Sequence, residues 1–106
     1  MQVDAVERYY VVVRSDLTLA QQVVQVAHVC LTAGAKFILP SYHHLVLCSV
    51  HASLLLENLA LRLEMAEVGY ALFFEPDLPG FTSLCSAPII DPEKRKLFRG
   101  LPLWKG

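Results

Sequence analysis

The sequence predicts a single α/β domain, a three-layer sandwich in which a mixed four-stranded sheet carries helices on both faces. Three observations lead there. Strand-like and helix-like segments alternate in the order strand, helix, strand, helix, strand, strand, helix; helical crossovers bring parallel strands together and lay helices against the sheet. The first strand-like run, Arg8 to Arg14, is apolar and aromatic without alternation, as expected of a strand covered on both faces. The 106 residues are one domain's worth of chain, so residues 1–106 are read as one unit.

Taking the elements in order, Arg8 to Arg14 is a central strand, ended by Ser15-Asp16-Leu17. Thr18-Leu19-Ala20-Gln21 fits the capping box, in which hydroxyl and amide each satisfy an orphan backbone N–H. A helix therefore begins near Leu19. Its apolar positions Leu19, Val23, Val26, Ala27, Cys30 and Leu31 recur at steps of three and four, the pattern of a buried face, and Gly34 is placed to end it. Gln21, Gln22, Gln25 and His28 supply most of its polar groups.

Leu39-Pro40-Ser41 marks a loop, and His44 to Val50 a second strand. Ser53 to Val68 reads as a leucine-rich helix stopped by Gly69, with Leu55, Leu56, Leu59, Leu63 and Ala66 on its apolar face. Tyr70 to Phe74 is a third strand, Glu75 to Gly80 a turn that suits either a hairpin or separated strands, and Ser83 to Ile89 a fourth strand. Asp91 caps a last short helix with Pro92 at its first position and Gly100 at its end.

Composition excludes several classes of function. Hydrophobic residues are 55% and charged residues 18% of the chain, which rules out disorder and demands a filled core. Nine Lys and Arg against ten Asp and Glu leave no basic footprint for nucleic acid. Mean hydropathy is +0.45, yet no apolar run approaches the ~20 residues of a helical span, so no membrane partner is expected. Met1 to Glu7 lacks a basic segment followed by an apolar one, so no export leader is expected either. Cys30, Cys48 and Cys85 form an odd, widely spaced set. In a reducing cytoplasm each is a small buried hydrophobe, with a disulfide or a nucleophile as the alternatives.

There is no Gly-rich phosphate loop, zinc-type cluster or nucleophile elbow. If the second strand has already begun at His43, the adjacent His43 and His44 point to opposite faces and share no metal. Gln25 and His28, three apart, share one face of the first helix. Asp77 follows a strand in a Pro-flanked turn, where ligand groups gather in α/β sheets, and Arg14-Ser15-Asp16 holds the matching place after the first strand. If those two strands are parallel neighbours, the two segments share one edge of the sheet.

Tyr9-Tyr10-Val11-Val12-Val13-Arg14-Ser15-Asp16-Leu17 followed by Gln25-Val26-Ala27-His28 resembles the opening of the type 2 peptidyl-tRNA hydrolases: a hydrophobic strand, Arg-x-Asp-Leu, then Gln-x-x-His on the first helix. A strand from Leu45 to Val50, a leucine-rich helix, a strand leading to Asp77, Thr82 to Pro88 near the family's Thr-Val-x-x-x-Gly-Pro strand, and Leu101-Pro102-Leu103-Trp104 at the close keep the family's order. The resemblance covers about residues 8 to 104. It implies a small cytoplasmic α/β protein, a homodimer, that cleaves the ester joining a peptide to the 3′ end of tRNA with no metal or other cofactor. Catalysis would fall to Asp77, which orients water, to Thr82 with backbone N–H groups at the oxyanion, and to His28. Substrate binding would fall to Arg14, Asp16, Gln21 and Gln25.

Two departures from the family define a second reading. The family's lysine before Gln-x-x-His falls on Gln21, a neutral amide that cannot offset a developing negative charge, and loss of one such group typically costs ~10²–10³ in rate. The Asp-Ala-Gly-x-Thr signature has become Asp77-Leu78-Pro79-Gly80-Phe81-Thr82, and most of the loop after it is missing. Besides Arg8 and Arg14 at the ends of the first strand, the one cluster of cations is Lys94, Arg95, Lys96 and Arg99. The alternative is a noncatalytic homodimeric module of the same fold that binds a small ligand or a partner protein, with Phe98, Leu101, Leu103 and Trp104 as contact or as core.

Overall fold

The computed structural model describes residues 7–38 and 44–106. The loop at Leu39-Pro40-Ser41 and the pairing of His43 with His44 fall partly or wholly outside them, as does most of Met1 to Glu7. Four strands, β1 (Arg8–Arg14), β2 (His44–Val50), β3 (Tyr70–Phe74) and β4 (Phe81–Ser86), form one mixed sheet in the order β2-β1-β4-β3. β1 is parallel to β2 and antiparallel to β4, and β3 and β4 form an antiparallel hairpin. The fold class read from the sequence is the one found.

Helix α1 (Leu19–Lys36) joins the parallel pair and covers one face, where Val29 and Ala33 pack with Val11, Ala71 and Cys85. Helix α2 (Ser53–Met65) covers the other, where Leu56, Leu59 and Leu63 meet Val12, Leu84 and Ile89. The short α3 (Pro92–Arg95) and a 3₁₀ turn (Lys96–Phe98) follow on that second face; Phe98 stacks on Tyr10 with ring centroids 4.2 Å apart. Buried from Tyr9 to Arg14, β1 is the central strand its unbroken apolar run requires.

Several boundaries differ from the sequence reading, each for a local reason. α1 runs through Gly34 to Lys36, because the Phe37 N–H still finds the Ala33 carbonyl at 2.9 Å and its ring packs on the core. α2 ends at Met65, not Val68. Its stop is a Schellman arrangement in which Val68 N–H bonds Leu63 and Glu67 N–H bonds Glu64, with Glu67 itself at φ 59°. Gly69 serves packing instead: a Cβ there would lie 3.0 Å from the Phe37 ring. β4 starts at Phe81 and ends at Ser86; Pro88 has no N–H for the ladder, and the pairing with β1 resumes only at Ile89 with Arg8. The last helix does not reach Gly100 but tightens to 3₁₀ at Lys96.

The largest difference concerns the faces of α1. Gln22, Gln25, Val29 and Ala33 are its buried residues, while Leu19, Val23 and Leu31, expected inside, are 55%, 55% and 74% exposed. Thr82 and Ser83 of β4 hold Gln25 inward, the Leu17 carbonyl and the Trp104 indole hold Gln22, and the apolar stripe turns out.

Candidate functional site

β1 and β3 run in the same direction with β4 between them, so Arg14-Ser15-Asp16 and the Asp77 turn reach the same edge of the sheet although their strands are not neighbours. Arg14, 6% exposed, organises that edge. Its Nε and Nη2 donate to the two carboxylate oxygens of Asp16 at 2.9 and 2.8 Å, and Nη1 donates to the carbonyls of Pro79 and Phe81. This fork matches a carboxylate in geometry as well as charge. The guanidinium hydrogen bonds hold the Asp16 carboxyl below the usual carboxylate range against the opposing effect of burial. The strand end and the hairpin turn are thereby tied together.

The turn needs glycine at Gly80. Its φ of 74° is left-handed, and a Cβ would come within 2.8 Å of the Ser53 Cβ. Ser53 Oγ accepts the Phe81 N–H at 3.0 Å, so the start of α2 is fastened to the start of β4. Asp77 lies exposed in this turn.

Thr82 is fully buried and sits at a register break: Phe73 pairs with Ser83 and Phe74 with Phe81, leaving Thr82 as the extra residue of a bulge. The bulge turns Thr82 and Ser83 both toward α1. Thr82 Oγ1 donates to Gln25 Oε1 at 2.6 Å, and Ser83 Oγ donates to the Gln25 carbonyl at 3.0 Å. Gln25 is 3% exposed. His28, one turn on, is exposed and stacks flat on Phe73, centroids 4.7 Å apart. Gln21 completes the capping box predicted for it, its Oε1 accepting the Thr18 N–H at 3.0 Å while Thr18 Oγ1 accepts the Gln21 N–H at 3.2 Å.

The structure thus joins Thr82 to Gln25 beneath α1 and Arg14 to Asp16 at the sheet edge, while His28 lies exposed against Phe73. Gln21 stands apart as a cap.

Three further groups make contacts that the sequence reading did not assign. Gln22 donates to the Leu17 carbonyl at 2.8 Å and accepts the Trp104 indole N–H at 2.7 Å, pinning the C-terminal segment beside β2, where Ser49 N–H bonds Pro102 and Trp104 N–H bonds Leu47. The signal available was its spacing of three from Gln25, which puts the two amides on one face of the helix. Ser53, at the head of α2, carried no mark beyond its place before a leucine run. Cys30 on α1 packs against the cluster that holds Cys85 of β4. The Cys85 thiol, hydrogen-bonded to Cys30, brings the Cys30 pKa down to about 7 despite burial; the same hydrogen bond, then burial and the neighbouring charge, push Cys85 up. Cys48 is raised by burial alone.

The C-terminal cations sit elsewhere. Arg95, Lys96 and Arg99 line a hollow of about 410 Å³ floored by Tyr10 and Phe98, on the α2 face of the sheet. Lys96 is already paired with Glu93 at 2.9 Å. Among the described residues no group of three or more His, Cys, Asp or Glu is placed to hold a metal, and no helix is long and apolar enough to cross a membrane.

Neither the protein-family profiles nor the curated proteins contain a match to this chain. Among solved structures it is similar to a protein of unknown function from Agrobacterium tumefaciens strain C58, at 13% identity and a TM-score of 0.71, over 98% of this chain and 100% of that one. At that identity the likeness establishes the α/β fold.

Proposed function

We propose that this chain is a noncatalytic interaction module built on a type 2 peptidyl-tRNA hydrolase-like fold, working in a reducing cytoplasm. One observation carries the reading: the hydroxyl that the family resemblance assigns to the oxyanion, that of Thr82, has no exposed surface and spends its proton on Gln25. An oxyanion donor must lie within hydrogen-bond reach of the reacting oxygen. A hydroxyl closed under α1 offers no such position to an ester on a tRNA end.

Two further arrangements support this. Gln21, in place of the lysine, has its amide oxygen engaged by the Thr18 N–H. The basic hollow that would draw tRNA phosphates lies on the α2 face, whereas Thr82 faces α1 and its Gln25. Cations on one side and candidate chemistry on the other cannot cooperate on one bond.

The test is release of peptide from a peptidyl-tRNA mimic by the purified protein beside its Asp77→Ala variant. Equal rates at the uncatalysed background are expected. Turnover by the wild type that Asp77→Ala abolishes would restore the esterase and remove this proposal.

A further inference from the structure

The outward side of α1 carries an apolar stripe along its length, with exposed His28 and Thr32 beside it. Ala20, Val24, Ala27, Leu31 and Gly34 follow one another at steps of four, three, four and three, and all five are exposed. Val24 is 49% and Leu31 74% exposed, with Leu19 and Val23, each at 55%, along one flank. Steps of four and three are those of a seam along which two helices pack knobs into holes. The only charge on the helix, Lys36, is turned away to the Tyr70 carbonyl at 2.6 Å.

The order of sizes along this seam identifies what fits it. Large and small residues alternate: Ala20, Val24, Ala27, Leu31. Laid antiparallel against itself, with the two-fold axis between positions 25 and 26, the seam sets Leu31 against Ala20 of the second copy, Ala27 against Val24, Val24 against Ala27 and Ala20 against Leu31. Every layer then holds one large and one small side chain, and each contact occurs twice, as a closed two-fold interface requires. A parallel pair would stack Leu31 on Leu31 and leave gaps at the alanines. The antiparallel pair also sets opposite helix-dipole ends side by side and places no charge in the contact.

An 18-residue helix is ~27 Å long, so two such faces with their flanks bury on the order of 1,000 Å² in total, the lower limit for a specific interface.

We propose that α1 is the homodimer interface, pairing antiparallel with α1 of a second copy through the Ala20-Val24-Ala27-Leu31 seam. This names the partner of the interaction module and rests on that reading for its biological meaning, while its geometry is independent of whether the fold catalyses anything.

Sedimentation from about 1 to about 300 µM tests it. The wild type is expected to pass from one chain mass to two. Leu31→Glu, on the exposed face and therefore compatible with folding by circular dichroism, should weaken association at least about 100-fold, because an unpaired charge would be buried. Ala27→Val sets valine against Val24 and should weaken it; Val24→Ala combined with Ala27→Val exchanges large for small in both copies and should restore it. A wild type that stays one chain at the highest concentration overturns the proposal, as does a dimer untouched by Leu31→Glu, which would place the contact elsewhere. Peptide release from the tRNA mimic is measured separately, so failure of one reading is visible without the other.

Discussion

The Thr82 hydroxyl donates to Gln25 Oε1 over 2.6 Å, joining the bulge of β4 to the inner face of α1 with both residues out of water. A buried acceptor that loses its donor carries the full cost of its desolvation, ~1–3 kcal/mol. Thr82→Val keeps the shape and removes the donor, so a loss in that range is expected in urea unfolding. Replacing Gln25 as well, by Met, should recover part of it, and the coupling between the two sites measures the bond. A Thr82→Val protein as stable as wild type would show the bond to be idle.

Glu67 occupies the left-handed position of a Schellman stop that glycine fills without strain. Its side chain is exposed, so nothing packed is lost on removing it. Glu67→Gly is expected to stabilise the protein by ~0.5–1 kcal/mol, seen as a Tm higher by ~2–6 °C. Glu67→Ala, which keeps a Cβ, should give no such gain.

The Arg14 guanidinium lowers the Asp16 carboxyl from its ordinary 3.8. A carboxyl whose pKa is lower folded than unfolded stabilises fully above the unfolded value and loses that contribution as pH falls through the folded one. The urea midpoint of the wild type should therefore drop below about pH 4 more steeply than that of Asp16→Asn. The difference between the two, largest at neutral pH, should shrink toward the acid limit. Parallel curves across the range would mean that the pair adds no pH dependence.

Cys30 is half-buried with its pKa near 7, while Cys85 and Cys48 are raised. Thiolate, not thiol, is alkylated. Iodoacetamide is expected to modify Cys30 first, with a rate midpoint at about 7 and the other two thiols slow in the folded state. Cys85→Ala removes the hydrogen bond and should move that midpoint up toward the ordinary thiol value, ~8.5. A midpoint unchanged by Cys85→Ala would mean that another group holds the Cys30 charge.

The strands were legible because Arg8–Arg14 and His44–Val50 are continuous β-branched and apolar runs, and Thr18 with Gln21 announced the start of α1. The orientation of α1 was not legible. Periodicity reports which residues share a face, and burial was assigned to the apolar one; the contacts that decide otherwise, Thr82 and Ser83 with Gln25 and Trp104 with Gln22, join residues far apart in sequence. The bulge at Thr82 was hidden for the same reason. A register break belongs to a pair of strands, and neither strand alone displays it. Asp77 was placed at the correct edge of the sheet, but a sequence could not show that β4 lies between β1 and β3 there.

The tie between Trp104 and Gln22 gives the molecule a built-in optical probe. The chain has one tryptophan, and its indole N–H ends on the helix whose outer face carries the proposed seam. Emission from that single ring responds to whether the last residues remain docked on α1, so loosening of the helix and detachment of the C-terminal segment can be followed in solution without adding a label.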